Sequence, residues 1–201
     1  MPVLVLASAS PARLATLRSA GISPLVQVTH VDEDAVLAAA RPLAPAEAVL
    51  TLARAKAEHA AAHPVVHGDL VLGCDSMLEL DGEVLGKPRD AAEARGRWRA
   101  MRGRSGVLHT GHWLVRGTHA VGATASTRVH FADLSDAEID AYVATGEPLA
   151  VAGAFTIDGL GGPFVTGVEG DHHAVVGLSL PLVRELLAEL GIAITALWDR
   201  P

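Results

Sequence analysis

The first residues whose types and spacing could do chemistry are Ser8-Ala9-Ser10-Pro11-Ala12-Arg13, near the start of the printed sequence. Ser10 followed by Pro11 is typical of a helix start, with serine as the N-cap and proline in the first turn. The free N–H groups and positive dipole end of such a helix attract anions, and the Arg13 guanidinium matches phosphate oxygens. The segment therefore indicates a phosphate site, although a capped helix with a solvated Arg13 explains the same residues.

Asp75 is the main candidate for acid–base or metal chemistry. It follows an apolar run at 70–74 that predicts a buried strand, and α/β proteins place ligand-binding groups at the carboxyl ends of strands. A carboxylate there could bind a metal or take the proton of an attacking water, a role worth roughly 10²- to 10⁴-fold in rate. Cys74 alternates to the opposite face of the strand, so we predict a small core residue rather than a nucleophile.

Three further segments carry charges that either bind a ligand or remain solvated. The acidic run 32–34 contains Glu33; it is either a solvated turn or a source of a carboxylate that shares Mg²⁺ with substrate phosphates. Lys56 stands alone among alanines on a predicted helix, as a surface lysine or a specific anion contact. Lys87 lies between glycine and proline, on a turn that either positions it for phosphate or is an ordinary surface turn.

The histidines do not predict a zinc site. His59, His63 and His67 recur at spacing four, which would align them on a continuous helix. Pro64 and Gly68 interrupt that helix, so we do not expect the aligned stripe. No other spacing of histidine and cysteine matches that of a zinc centre.

The secondary structure needed to position these groups is an alternation of strands and helices. Strands are predicted at 3–7, 25–28, 70–74, 77–80, 84–85, 107–115 and 120–131, and helices at 10–21, 45–62, 90–101, 135–145 and 181–191. Residues 153–170 are rich in glycine and predict loop and strand. Such alternation predicts an α/β fold with a mixed sheet. If the fold has two lobes, we expect the division around 86–88.

Composition restricts the class of protein further. The chain has 201 residues, half of them apolar and 3% aromatic, so we expect a substantial aliphatic core. A net charge of −7 argues against DNA or RNA as a partner, because their binding normally requires an excess of basic residues. One cysteine excludes an intramolecular disulfide. Without a signal-peptide pattern or an apolar stretch long enough to span a membrane, we expect a cytoplasmic protein without membrane contact.

Taken together and in chain order, these segments resemble the Maf family of nucleotide pyrophosphatases. The blocks that carry the resemblance are Leu6-Ala7-Ser8-Ala9-Ser10-Pro11-Ala12-Arg13 with Gly21, Asp32-Glu33, Ala55-Lys56-Ala57, Gly73-Cys74-Asp75-Ser76, Leu80-Asp81-Gly82-Glu83-Val84-Leu85-Gly86-Lys87-Pro88, Leu134-Ser135-Asp136-Ala137-Glu138-Ile139, Ala152-Gly153-Ala154-Phe155 to Gly159, and Val175-Val176-Gly177-Leu178. Each block alone is short, but together they cover most of the chain.

The resemblance implies a single domain over 1–201, with an elongated mixed α/β sheet, two lobes and a nucleotide cleft between them. That fold is related to the inosine triphosphate pyrophosphatases, and the assembly is expected to be a homodimer. The implied activity is cleavage of a nucleoside triphosphate into monophosphate and pyrophosphate with Mg²⁺ or Mn²⁺. A non-catalytic nucleotide-binding regulator of septum formation is the alternative from another class, and a metal phosphatase that releases inorganic phosphate is a further one.

The resemblance also assigns roles to individual residues. The triphosphate would be held by Ser8, Arg13, Lys56 and Lys87, and the metal and the attacking water by Glu33 and Asp75. Asp75 is the expected base, although the division of labour between the two acids stays open.

Three positions depart from the pattern of the pyrimidine-nucleotide members. Ala12 stands where many of them have arginine, and Ser76 where they have threonine. Asp158 replaces a glutamine that is expected to read the base. We expect Ser76 and Asp158 to contact substrate, with dTTP and UTP as the first substrates to test.

Overall fold

The computed structural model describes residues 2–40, 42–63 and 70–199. The chain divides into two compact units, each built from separate chain segments. Unit 1 comprises 1–75, 110–125 and 177–201, and unit 2 comprises 76–109 and 126–176. The predicted division around 86–88 is therefore wrong. No single turn separates the two units, because three long strands each contribute residues to both of them.

Strands and helices alternate as predicted, which confirms the mixed α/β class. The strands are β1 (Leu4–Ala7), β2 (Leu25–Val26), β3 (Leu70–Leu80), β4 (Glu83–Leu85), β5 (Ser105–Arg116), β6 (His119–Phe131) and β7 (Val165–Glu169). The helices are α1 (Pro11–Ser19), α2 (Glu33–Ala39), α3 (Pro45–Ala62), α4 (Ala91–Met101), α5 (Asp136–Ala144), α6 (His172–Val176) and α7 (Leu180–Glu189). The described strands form a sheet in the order β2-β1-β3-β5-β6-β7, with β4 paired to β3.

The predicted break in the strand at Asp75 is wrong, because β3 runs without interruption from Leu70 to Leu80. Its first half pairs in parallel with β1, from Leu4 opposite Leu70 to Ala7 opposite Gly73. Its second half pairs in antiparallel with β4. Hydrogen-bonding partners before and after Asp75 thus keep the backbone extended through a residue type that disfavours strands.

The acidic run 32–34 begins a helix, so the alternative of a turn is wrong, although all three residues are exposed. The Asp32 side chain caps α2 by accepting a hydrogen bond from the Ala35 N–H at 3.0 Å. Glu33 and Asp34 occupy the first helical turn, where negative charge interacts favourably with the helix dipole. The helix start therefore fixes the backbone that carries Glu33.

The core of unit 1 is aliphatic, as predicted, and covers both faces of β1 and β3. Leu6 and Leu72 pack with buried residues of α1 and α7 on one face. Val5 and Val71 pack against α3 alanines on the other face. Coverage on both faces explains why β1 and the 70–74 part of β3 have no polar side chain.

The core of unit 2 is mostly aliphatic, as predicted, but it also contains a group of aromatic side chains around Trp98 that the aliphatic prediction did not include. Trp98 of α4 is fully buried and makes edge contacts with Phe131, Tyr142 and Phe164. Its indole Nε1–H donates to the Ala154 carbonyl oxygen at 2.8 Å, which satisfies the buried polar atom. Trp98, Tyr142 and the three phenylalanines thus lie in one cluster, whereas Trp113 and Trp198 lie outside it.

Within the described residues, no helix combines the length and hydrophobicity needed to cross a membrane.

Candidate active site

The N-terminus of α1 in unit 1 presents a serine and an arginine held in a defined geometry. Ser10 caps the helix, and its Oγ accepts from the Arg13 N–H at 3.4 Å. The Arg13 Nη1–H donates to the Ser8 Oγ at 3.0 Å, and its Nε–H donates to the Gly177 carbonyl oxygen at 2.8 Å. The guanidinium is therefore fixed beside the helix N-terminus and is not the solvated arginine of the alternative interpretation.

Lys56 of α3 bridges the two acids that the sequence singled out. Its Nζ lies 2.6 Å from Asp75 Oδ1 and 2.8 Å from Glu33 Oε1. The side chains of Lys56 and Asp75 are only 13% and 10% exposed, whereas that of Glu33 is 50% exposed. Lys56 is thus an internal cation and not a surface lysine.

The position of Asp75 follows from strand alternation and from the end of β1. Asp75 shares a face of β3 with Val71 and Gly73, which is the face that α3 covers. Strand β1 ends at Ala7, opposite Gly73, so Asp75 lies just past the carboxyl end of its parallel neighbour. The prediction that β3 ends at Asp75 is wrong. Asp75 nevertheless lies at the carboxyl end of a strand, as expected, because that strand is the neighbouring β1.

Burial gives the Asp75 carboxyl unusual acid–base properties. Desolvation raises its pKa above the ordinary value of 3.8, and the opposing charges of Lys56 and Arg13 do not offset this effect. A carboxyl with a raised pKa is a better proton acceptor than an ordinary one. Ser8, which accepts from the Arg13 guanidinium, directly follows Ala7, and Ala7 pairs with Gly73 two residues before Asp75. The helix N-terminus and the Lys56 bridge therefore form one cluster in unit 1.

Cys74 is a core residue, as predicted. Its side chain is fully buried on the face of β3 opposite Asp75. Burial raises the pKa of the thiol to about 12, so the nucleophilic thiolate is scarce at neutral pH.

The carboxylates of Glu33 and Asp75 offer a partial coordination set for a metal. Mg²⁺ is commonly bound by one or two carboxylates together with substrate phosphates. Within the ranges that the structure describes, no group of three or more histidine, cysteine or acidic side chains could hold a metal ion. Glu33 and Asp75 both contact the Lys56 ammonium, so they supply the one or two carboxylates that such a shared site needs. His67 of the rejected histidine stripe lies outside the described residues.

The other predicted site residues, Ser76, Lys87 and Asp158, belong to unit 2. Ser76 alternates to the face of β3 opposite Asp75. Lys87 is exposed on a turn whose backbone is anchored, because the Gly86 carbonyl accepts hydrogen bonds from the Gly153 N–H and from Arg97. Asp158 is exposed on a loop. Their roles toward substrate stay predictions.

Sequence reasoning missed two residues that support Arg13. The Gly177 carbonyl holds the guanidinium across a sequence separation of 164 residues. His112 is fully buried; its Nδ1–H donates to the Thr110 carbonyl at 3.0 Å, and its Nε2 accepts from the Ser179 N–H at 2.8 Å. His112 therefore fixes the backbone two residues after Gly177. Gly177 lies in one of the blocks that carry the family resemblance, but only the long-range contacts reveal what it and His112 do.

A family model and sequence relatives each match nearly the whole chain. The model of a family described as Maf-like protein matches residues 3–190. A nucleoside triphosphate pyrophosphatase of Streptomyces coelicolor is 60% identical over 97% of this chain and 94% of its own. One from Mycobacterium marinum is 53% identical over 98% of this chain and 97% of its own. Among solved structures, the Staphylococcus aureus Ham1 protein matches 65% of this chain and 72% of its own, with 18% identity and a TM-score of 0.40.

Proposed function

Because this chain belongs to the Maf-like family, we propose that it is a nucleoside triphosphate pyrophosphatase that cleaves between the α- and β-phosphates. Relatives that are 53–60% identical over nearly the full chain carry that name. The observation that carries the proposal for this chain is the cluster in which Lys56 bridges Asp75 and Glu33 beside Arg13. Cations and a raised-pKa carboxyl beside a helix N-terminus are what attack on a polyphosphate requires.

Each side chain of the cluster has a role in this reaction. Ser8, Arg13 and the positive dipole end of α1 bind phosphate oxygens and orient the chain of phosphates. Asp75 takes the proton of the attacking water as its oxygen bonds to the α-phosphorus. The bond from that phosphorus to the bridging oxygen breaks, and its electron pair leaves with pyrophosphate. Lys56 stabilises the negative charge that the acids and phosphates bring together.

A divalent ion, Mg²⁺ or Mn²⁺, completes the proposal. Glu33 and Asp75 would hold it together with phosphate oxygens, because these acids share a cation already and supply the oxygen donors that such ions prefer. When bound, the ion neutralises phosphate charge. The same pair of acids disfavours a non-catalytic regulator of septum formation, since a protein that only binds nucleotides needs phosphate-binding cations but no metal-directed carboxylates.

The finer expectations concern substrate and assembly. We propose that Ser76, Lys87 and Asp158 contact the nucleotide, with dTTP and UTP as first substrates, in a cleft of a single two-lobed domain. We further propose that the protein is a homodimer in the cytoplasm. Its ligand is a small nucleotide rather than a nucleic acid, which the absence of an excess of basic residues supports.

The decisive experiment measures the products formed by the wild-type protein and by Asp75→Asn. We expect pyrophosphate and monophosphate from the wild-type protein, and at least about a 10²-fold loss of rate in the variant, the lower end of general-base effects. Asp140→Asn is the matched control, because Asp140 is half exposed and pairs with Arg95 on the surface; its rate should not change. Release of inorganic phosphate, or more than about a tenth of the rate in a folded Asp75→Asn variant, contradicts the proposal.

A further inference from the structure

The carboxylate of Glu147 in unit 2 is the centre of a dense set of hydrogen bonds. Its Oε1 accepts from the Tyr142 hydroxyl at 3.1 Å, from the Gly161 N–H at 3.2 Å and from the Thr156 hydroxyl. Its Oε2 accepts from the Leu160 N–H at 3.1 Å. One side chain thus anchors both ends of the segment 156–161, hereafter the 156–161 loop.

Two glycines of the 156–161 loop are required by this arrangement. A Cβ atom on Gly159 would lie 2.8 Å from Glu147 Oε2 and 2.8 Å from the Thr156 hydroxyl. A Cβ on Gly161 would collide with the Tyr142 hydroxyl, which itself accepts from the Thr156 N–H at 3.2 Å. A Cβ at Gly159 would therefore displace the oxygens of Glu147 and Thr156, and one at Gly161 would also lie 2.6 Å from the Thr156 carbonyl oxygen. The present hydrogen bonds around the carboxylate thus depend on both glycines.

The charge of Glu147 is stabilised in this environment. Burial by itself raises the pKa of the carboxyl, but hydrogen bonds from Thr156, Leu160, Tyr142 and Gly161 outweigh it, so the pKa lies below the ordinary value of 4.5. The carboxylate is therefore ionised at neutral pH and accepts several donors at once. Asp158 lies between the two anchored ends of the 156–161 loop, and its side chain is exposed.

We propose that Glu147 is a positioning residue that fixes the conformation of the 156–161 loop and thereby sets the nucleobase preference. This inference rests on the proposed function, with Asp158 as the residue that reads the base. Glu147 itself touches no substrate, because its oxygens are occupied by loop donors and by Tyr142. A side chain that orients an exposed recognition residue changes the relative affinity for different bases and leaves phosphate binding alone.

The test is Glu147→Gln, assayed as kcat/KM for the four ribonucleoside and four deoxyribonucleoside triphosphates. The glutamine amide must direct an NH₂ group at one of the loop donors, which breaks part of the network. We expect the ratio between the best and the second-best base to change by roughly fivefold, equivalent to about 1 kcal/mol. A uniform change for all nucleotides means that Glu147 is merely structural, and it overturns the proposal.

The matched control is Glu138→Gln in the same unit. Glu138 is also a structural carboxylate, since it accepts from the Ser135 N–H at 2.8 Å and from the Ser135 hydroxyl at 2.7 Å in the capping box of α5. Its replacement should lower stability without changing the ranking of bases. If Glu138→Gln reorders the ranking as much as Glu147→Gln, a general loss of stability explains the effect and the proposal fails.

Tyr142→Phe provides a second variant in case Glu147→Gln does not fold. It keeps the aromatic packing against Trp98 and Phe164 but removes the hydroxyl that donates to Glu147. A smaller change of ranking in the same direction supports the proposal, and no change overturns it.

Asp158→Gln distinguishes a failure of this inference from a failure of the proposed function. If the wild-type protein makes pyrophosphate but Asp158→Gln leaves the ranking of bases intact, the loop does not read the base and only this inference fails. If no nucleotide yields pyrophosphate, the proposed function fails.

Discussion

Replacing Gly73 with alanine tests whether the close approach of α3 to β3 positions the reactive cluster. A Cβ on Gly73 would lie 2.8 Å from the Ala57 nitrogen and 2.9 Å from the Ala57 Cβ, and it would collide with the Ala53 carbonyl oxygen. Because these obstacles are mostly backbone atoms, a rotamer change cannot relieve them, and α3 must move away from the strand. Lys56 precedes Ala57 on that helix, so the 2.6 Å contact with Asp75 must lengthen.

The expected cost can be stated for both stability and rate. Extra volume in a well-packed core typically costs about 1–3 kcal/mol, and we expect the free energy of unfolding to fall by at least the lower value. Misplacement of a catalytic group by about 1 Å costs up to roughly 10²-fold in rate. We therefore expect kcat/KM for pyrophosphate release to fall between about tenfold and 10²-fold. The free energy of unfolding is measured by urea unfolding followed by circular dichroism, since the midpoint and slope of the transition give it.

Gly96→Ala is the matched control for Gly73→Ala. Gly96 lies inside α4, and a Cβ there meets nothing within 4 Å. Alanine should stabilise this helix by about 0.5–1 kcal/mol and leave the rate unchanged. If Gly73→Ala is as stable and as active as the wild-type protein, the packing of α3 on β3 does not position Lys56, and the reasoning is refuted. If Gly73→Ala is destabilised as expected but fully active, only the link between the packing of α3 on β3 and the position of Lys56 is refuted.

Three further predictions concern the metal, the phosphates and the thiol. Glu33→Gln should lose rate and recover part of it at higher Mg²⁺ or Mn²⁺; if added metal restores nothing, Glu33 is not primarily a metal ligand. Alanine at Arg13, Lys56 or Lys87 should weaken all nucleotides by similar factors, as kcat/KM across a nucleotide panel will show; a reordered ranking means that the residue touches base or sugar. Cys74, which is fully buried, should react with a thiol reagent only after unfolding; rapid labelling of the native protein contradicts its place in the core.

Those parts of the fold that depend on local signals were predictable. Ser10 and Pro11 start α1 as expected, and the alanine-rich pattern from Pro45 to Ala62 matches α3 residue for residue. Capping side chains and proline act on the backbone within a few residues. Their effect is therefore visible in the sequence without knowledge of the tertiary structure.

Features that depend on distant partners were not predictable. The sequence suggested a strand end at Asp75, but pairing with two different strands carries β3 past it. The sequence left open whether Lys56 is a surface residue or a specific anion contact, and only the packing of α3 on β3 reveals that it bridges two acids. The support of Arg13 by Gly177 likewise has no local signal. Each case depends on contacts between elements far apart in the chain, which residue patterns do not encode.

The contact between Arg13 and Gly177 has a consequence for protein synthesis on the ribosome. The carbonyl that fixes the guanidinium is made 164 residues after the arginine, and the histidine-held backbone at Ser179 follows it. A nascent chain that already exposes Arg13, Lys56 and Asp75 still lacks the acceptor that orients the first of them. We therefore expect nucleotide binding to begin only after Gly177 and Ser179 have left the ribosome and have packed against Arg13 and His112; ribosome-stalled chains with C-terminal linkers long and short enough to release or retain this segment would show the difference.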